Sequence, residues 1–384
     1  MLAPVLLLMA QAASAAPASA PADEIVVVGQ RIEEELATCL ARSCPPKEEI
    51  ELSLQLSVNQ FASGRYTDAR NTLQRAIRRN RDHAAELPGP VSMMYATLAS
   101  VAEHQGDPRL WRQSARNNVE VLRQHVGESH VATLGQELAF ADSMVGLGTL
   151  DSAGALYRAV QRKAADSGNA QFAAGAAFRR AWLALLQEHD RDALRLADEA
   201  VGLAGADDRL MRDLREILRT RIAVREGDND AVDALATRLR QAATDPPRLL
   251  FASGYEDINA DDTVEVNRFI DSDLRLADVG YWIRPDGRTA DIEILRNNGL
   301  GQWAPGILRQ IRSRRYVPFD GAAGNPGLYR IERFTVRATK GDVTGSHIEQ
   351  RRGDLTIHVV DLTETEAMGE AHRRRLREAA APVG

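Results

Sequence analysis

The sequence predicts a multidomain chain: an all-α array of repeated helix pairs followed by a small α+β domain. Three observations carry that expectation. From Glu49 to Ala243 the chain is rich in Ala, Leu, Arg, Gln and Glu, and prolines are confined to Pro88, Pro90 and Pro108, a composition that favours helix. The pattern stops at Asp245-Pro246-Pro247, because proline forbids helix continuation and pushes its predecessor into an extended conformation. Beyond that point side chains alternate, the rhythm of a strand. A length of 384 residues suffices for two ordinary domains, each with its own core. The expected divisions are 1–22, 23–48, 49–245, 248–364 and 365–384.

The first division reads as a cleaved export signal. Leu2 to Met9 is almost wholly apolar and runs into Ala13-Ser14-Ala15, the small-x-small pattern signal peptidase accepts, before an Ala/Pro/Ser stretch to Pro21. No Lys or Arg precedes the apolar run. A spanning helix needs about 20 apolar residues, so the periplasm is the expected location and an inner-membrane anchor facing the periplasm the alternative. The segment 23–48 is expected to be extended and holds the only cysteines, Cys39 and Cys44. In an oxidising compartment they could close a small loop; two unpaired thiols are the other reading. No second Cys or His pair stands nearby to complete a zinc site. The formal charge of -6 gives no basic face for nucleic acid.

In the helical region a unit recurs in which a turn residue precedes a small residue on a second helix, with apolar positions four and seven further on. Gly64, Tyr66, Ala69, Leu73 and Ala76 form the clearest copy. Later copies carry Gly148, Ala153, Tyr157 and Val160, then Ala193, Ala197 and Ala200, with small residues Ala141 and Ala181 on the preceding helices. Weaker copies surround Ala115 and run through Gly227, Ala231 and Leu235. These residues resemble the tetratricopeptide repeat, in which small residues let paired helices approach and a stack buries what one pair cannot. The copies are spaced more widely than the ~34 residues of that repeat, so loops or helices are longer. Gly127 to Thr133 resembles the inter-repeat loop of the longer variants in kinesin light chains. The resemblance implies an extended docking surface for a protein partner.

In the last third, Val279, Tyr281 and Ile283 share one face of a strand that ends in the turn Pro285-Asp286-Gly287. Ala290, Ile292 and Ile294 form the returning strand of a hairpin. Ala304, Ile307, Leu308 and Ile311 fall at helical spacing to cover it, with Pro305 in the first turn. Leu328 to Ala338 reads as a strand whose apolar phase slips from Tyr329 and Ile331 to Phe334 and Val336, which predicts a bulge near Glu332-Arg333. Asp354 to Asp361 is a further strand candidate.

The motifs Ile283-Arg284-Pro285-Asp286-Gly287-Arg288, Ile294-Leu295-Arg296-Asn297-Asn298-Gly299 and Arg314-Arg315-Tyr316-Val317-Pro318-Phe319 are together similar to the C-terminal domain of the TonB energy-transducer family. The likeness spans about 70 residues. It implies a periplasmic domain that recognises an extended peptide of an outer-membrane receptor by strand addition. The candidate edge is Leu328, Tyr329, Arg330, Ile331, Phe334 and Val336. The family's Pro-rich spacer is not evident, and the helical array stands in its place. Near the N-terminus, Glu24, Ile25, Val26, Val27 and Val28 resemble a TonB box, the peptide such domains bind, with a buried strand or a linker as the other readings.

The eight histidines are dispersed, and no His-Glu-x-x-His, Gly-x-Ser-x-Gly or Gly-rich phosphate loop occurs. No cofactor or metal is expected. His347 and His358, with Asp354 and Asp361, read as solvated strand ends, and the Arg-rich tail from His372 to Arg377 as a solvated helix end that could touch anionic lipid. The sequence therefore predicts a non-enzymatic periplasmic interaction protein. A TonB-type transport component and an envelope hydrolase with an unrecognised site are the alternatives.

Overall fold

The computed structural model describes residues 22–243, 245–259, 274–321, 325–342 and 349–363. The stretch read as an export signal and the Arg-rich tail lie outside the described residues, as does His347. The chain is mostly helical in its N-terminal region and ends in a small antiparallel sheet domain.

Among the described residues eleven α-helices precede the sheet: α1 (Ala22–Ala41), α2 (Pro46–Ala62), α3 (Tyr66–Asn80), α4 (Pro88–His104), α5 (Pro108–His125), α6 (Val131–Gly146), α7 (Leu150–Asp166), α8 (Ala170–Leu186), α9 (Asp190–Ala204), α10 (Arg209–Arg225) and α11 (Ala231–Arg238). From α2 onward they form five pairs. The turn inside each pair holds one left-handed residue: Gly64, Gly106, Gly148, Glu188 and Gly227. These five positions recur every 39 to 42 residues, because α2 to α10 are each 15 to 18 residues long. The wide spacing in the sequence thus reflects long helices. Ala69, Ala141, Ala153, Ala181, Ala193, Ala197 and Ala200 are all completely buried where helices cross. First helices of the pairs also pack on one another, α2 with α4, α6 with α8 and α8 with α10.

The segment 23–48 is not extended. Ile32, Leu36 and Cys39, spaced four and three apart, give α1 a buried stripe that packs on α2 through Leu56. Glu24 to Val28 lie in the first turns of this helix. Cys39 and Cys44 are joined by a disulfide across the α1–α2 turn, with Cα atoms 5.0 Å apart.

The C-terminal domain comprises β1 (Leu249–Phe251), β2 (Arg275–Ile283), β3 (Thr289–Asn298), α12 (Ala304–Arg312), β4 (Arg315–Tyr316), β5 (Leu328–Asp342) and β6 (Glu349–Asp361). The main sheet is antiparallel in the order β3-β2-β5-β6, and β1 pairs separately with β4. The β2–β3 hairpin turns at Gly287, where φ is 81° and a Cβ would come within 2.2 Å of the Tyr316 carbonyl oxygen. α12 lays Ile307 and Ile311 on Val279, Tyr281, Phe334 and Val336, as its spacing predicts.

Two expectations for β5 are overturned. It pairs with β2 in unbroken register from Leu328 opposite Ile283 to Val336 opposite Arg275, so there is no bulge at Glu332-Arg333. The apparent slip arises because both faces are buried: Phe334 and Val336 face α12, while Tyr329 and Ile331 join Trp282 and the array residue Phe61. β5 also pairs with β6 along its other side. From Ile331 to Val336 the strand is therefore interior and its backbone is not an open edge, while Leu328 to Arg330 lie beyond the β6 ladder.

Candidate functional site

The sheet domain is built into the array through arginines that meet helix ends. The last carbonyls of a helix have no partner within it and carry partial negative charge. Arg333, fully buried, donates through Nη1 to the Phe61 carbonyl at 2.8 Å and through Nη2 to the Ala62 carbonyl at 2.7 Å, at the end of α2. Its Nε and Nη2 also hold both oxygens of Asp278, at 2.6 and 3.0 Å. Arg296 adds bonds to the Ala62 and Ser63 carbonyls at 3.1 and 3.3 Å. At the end of α4, Arg337 donates to the His104 carbonyl at 2.7 Å and to the Glu103 carbonyl. The Lys340 amide then reaches the Gly106 carbonyl at 2.7 Å.

Burial pushes the Glu103 carboxyl up to about 7, against the pull of Arg337 and a Ser143 hydrogen bond. Beside it, burial and the charge of Arg337 push His358 down to about 3, and its ring lies 5.3 Å from that of His104. His358 is thus packed at the junction between sheet and array, and not a solvated strand end.

The domain is also tied to the last helix pair. The Gln241 amide donates to the Pro318 carbonyl at 3.0 Å, and Arg248 and Arg315 pair with Asp213 and Asp233 at 2.7 and 3.0 Å. Under the sheet, Arg314 donates to Glu332 and to the Tyr281 hydroxyl, both at 2.7 Å. Burial raises the Glu332 carboxyl, but Arg314 and Arg330 outweigh it and hold the group below the ordinary carboxylate range. This network fixes the end of α12 against β2 and β5.

With one sheet face on the array and the other under α12, the sheet's remaining access is through its edges. β3 is a poor template: its pairing with β2 shifts register twice, and Asp291 sits at φ 48°. Such irregularities blunt an edge against further pairing. β6 differs, because its pairing with β5 is regular from Leu355 to Asp361. The Asn259 side chain approaches its outer side and pairs with Leu355 as a neighbouring strand would. It accepts from the Leu355 amide at 2.9 Å and donates to the Leu355 carbonyl at 3.1 Å. Main-chain groups alternate along an antiparallel strand, so those of Ile357 and Val359 also face outward. Among the described residues no strand pairs with this edge. Beside it lies a hollow of about 170 Å³, lined by Tyr255, Ile258, Trp303, Ile307 and Ile357 with Glu256 and Asp257 at the side.

The structure thus shifts the candidate edge from β5 to β6. The sequence had marked Asp354 to Asp361 as a strand without assigning it a role. Its position as the last strand of a meander was the available signal. Glu24 to Val28, read from the sequence as an extended peptide that such a sheet binds, are helical. Cys39, Cys44 and Glu48 are the one cluster of metal-ligand types among the described residues, and both sulfurs are taken by the disulfide.

No family model matches the chain, and no curated protein matches it. Among solved structures it is similar to BtubC (BKLC) from P. vanneervenii, with 14% identity, a TM-score of 0.45, and coverage of 57% of this chain and 90% of that one. It is also similar to NprR in complex with its cognate peptide NprX, with 12% identity, a TM-score of 0.35, and coverage of 56% and 62%. Likeness at this level says nothing of what this chain binds.

Proposed function

We propose that this chain is a non-enzymatic interaction protein of the cell envelope, working in the periplasm. A tetratricopeptide-like array holds a TonB-C-terminal-like sheet, whose β6 edge takes an extended peptide of a partner by strand addition. The N-terminal segment of an outer-membrane receptor is the partner this reading favours. One observation carries it: the Asn259 amide already occupies the Leu355 position of β6 in the manner of an added strand. Among the described residues no strand pairs with the outward groups of Ile357 and Val359, which continue that ladder. The adjoining apolar hollow suits one side chain of the incoming strand, since alternate residues of a strand fall on the same face. Backbone pairing supplies affinity in this mode and the hollow supplies selectivity.

The test is calorimetric titration of the full chain with receptor N-terminal peptides and with the heptapeptide Asp-Glu-Ile-Val-Val-Val-Gly, the sequence of residues 23–29. Val359→Pro removes an outward amide and spares the ladder to β5, as an edge strand tolerates. One lost hydrogen bond is worth about 1 kcal/mol, so affinity is expected to fall roughly fivefold. No binding by any of these peptides, or equal binding by the variant, would remove the reading.

A further inference from the structure

The chain carries a net charge of -6, yet its charges are not evenly spread. The second helices α3, α5 and α7 take equivalent places in successive pairs: α3 packs on α2 and α4, α5 on α4 and α6, and α7 on α6 and α8. Each buries one side, through Leu73, Trp111 and Tyr157 respectively, and leaves the other side to solvent. On the open sides stand Arg75 and Arg78 of α3, Arg112 and Arg116 of α5, and Arg158 and Arg162 of α7, all exposed. The spacing within each couple is three or four residues, which puts both members on one helix face. Exposed acids on the same helices are Glu120, Asp151 and Asp166. A local basic excess thus recurs from pair to pair on a chain that is acidic as a whole.

These arginines differ from others of the array in lacking a counter-charge. Among the described residues none of the six forms an ion pair, and Arg75 gives only its Nε, to the Asn71 carbonyl. On α9 and α10, by contrast, Arg195 pairs with Asp192, Arg215 and Arg219 with Asp198, and Arg225 with Asp190. Like charges three or four residues apart destabilise a helix, so the three couples hold a repulsion that an external anion would relieve. What the face lacks narrows the choice of anion. Protein interfaces centre on aromatic or aliphatic anchors, and none of the exposed large apolar side chains lies on α3, α5 or α7. Single-stranded nucleic acid needs aromatic platforms for its bases, which these exposed sides also lack. No helix among the described residues is long and apolar enough to cross a membrane. An extended, charged, non-inserting face matches the phosphate layer of an anionic bilayer.

We infer that the exposed arginines of α3, α5 and α7 form a peripheral docking surface for an anionic lipid bilayer. The array lies against phosphate headgroups through this face, with no side chain inserted among the acyl chains. The acidic remainder of the chain is repelled by the same surface and turns away from it. The inference concerns the array alone and does not depend on strand addition at β6.

Co-sedimentation of the full chain with large unilamellar vesicles tests this, with equal parts of phosphatidylglycerol and phosphatidylcholine set against phosphatidylcholine alone. At low salt the chain should partition onto the anionic vesicles at least roughly tenfold more strongly than onto the neutral ones. Raising ionic strength from about 0.01 M to about 1 M, which shortens the screening length from ~30 to ~3 Å, should release it. An arginine near such a surface is worth about fivefold in partitioning. The triple variant Arg75→Gln, Arg112→Gln, Arg158→Gln should therefore lose at least roughly tenfold. The triple variant Arg219→Gln, Arg284→Gln, Arg309→Gln changes net charge equally, at arginines with acidic partners away from this face. It should lose less than about threefold. Both should melt with the parent chain, because all six side chains are exposed. No partition at low salt, equal partition onto neutral vesicles, or equal losses in the two triple variants would each overturn the docking surface. Poly-L-glutamate or a DNA duplex bound as tightly as the anionic vesicles, at matched charge concentration, would overturn the assignment to lipid.

Discussion

At the scale of single residues, the junction between array and sheet depends on charges that the interior has withdrawn from water. Asp278 is fully buried between Arg333 and Arg296. Removing one member of such a set leaves the other uncompensated, so Asp278→Ala is expected to cost about 3–5 kcal/mol, measured by urea unfolding. Glu103 and His358 give the same junction opposite responses to pH. Glu103 titrates at about 7 when folded, above its ordinary value of 4.5, so its share of stability is complete below 4.5 and is lost as pH rises through 7. His358 is pushed from 6.5 to about 3, so its share is complete above 6.5 and is lost as pH falls towards 3. Glu103→Gln should therefore remove the decline in stability between pH 5 and pH 8 and leave the acid-side loss. A decline of the same slope in the variant would contradict this account of Glu103. Glu188 is the one non-glycine among the five left-handed turn positions. Relief of that strain makes Glu188→Gly stabilising by up to ~1 kcal/mol, read as a rise in melting temperature. Little at this scale was legible in the sequence. Arg333 and Arg337 look like solvated charges in a strand until the ends of α2 and α4 are brought against them.

At the scale of elements, local pattern and packing agree in some places and part in others. The helix pairs were legible because completely buried alanines such as Ala69, Ala153 and Ala193 mark the crossings whatever lies outside them. The β2–β3 hairpin and α12 were legible because Gly287 and the stripe of Ile307 and Ile311 act within their own neighbourhood. α1 was not legible because Ile25 to Val28, a β-branched run, favours an extended segment, while Ile32, Leu36 and Cys39 supply the buried stripe of the helix. β5 was misjudged because its second buried face exists only through the array, and alternation within one strand carries no trace of a distant helix. Its neighbour β6 supplies a test of which backbone groups are open. Val359→Pro should cost less than Thr356→Pro, because its amide faces away from β5 and only the packing of its half-buried side chain is lost. Thr356→Pro should destabilise by about 1–3 kcal/mol, because its amide faces β5. Equal losses in thermal melts of the two variants would show that the orientation argued from Asn259 is wrong.

At the scale of the whole molecule, the sheet domain joins the first two helix pairs to the last. Arg333 and Arg337 bind the ends of α2 and α4, while Leu250 and Val317 belong to the core of α8 to α11. Array and sheet are thus expected to melt together. Far-UV circular dichroism, dominated by the helices, and the fluorescence of Trp282 and Trp303 in the sheet domain should give coincident transitions. Two separated midpoints would mean that the junction is loose. Under the proposed function, a frame joined in this way would hold β6 as a fixed edge and lower the ordering cost of taking up a peptide. Amide hydrogen exchange of the full chain, followed residue by residue with and without a saturating receptor N-terminal peptide, tests this most directly. The account predicts new protection at Ile357 and Val359, with Thr356 and His358 unchanged because β5 already holds them. Protection appearing elsewhere with those two amides unaltered would contradict it.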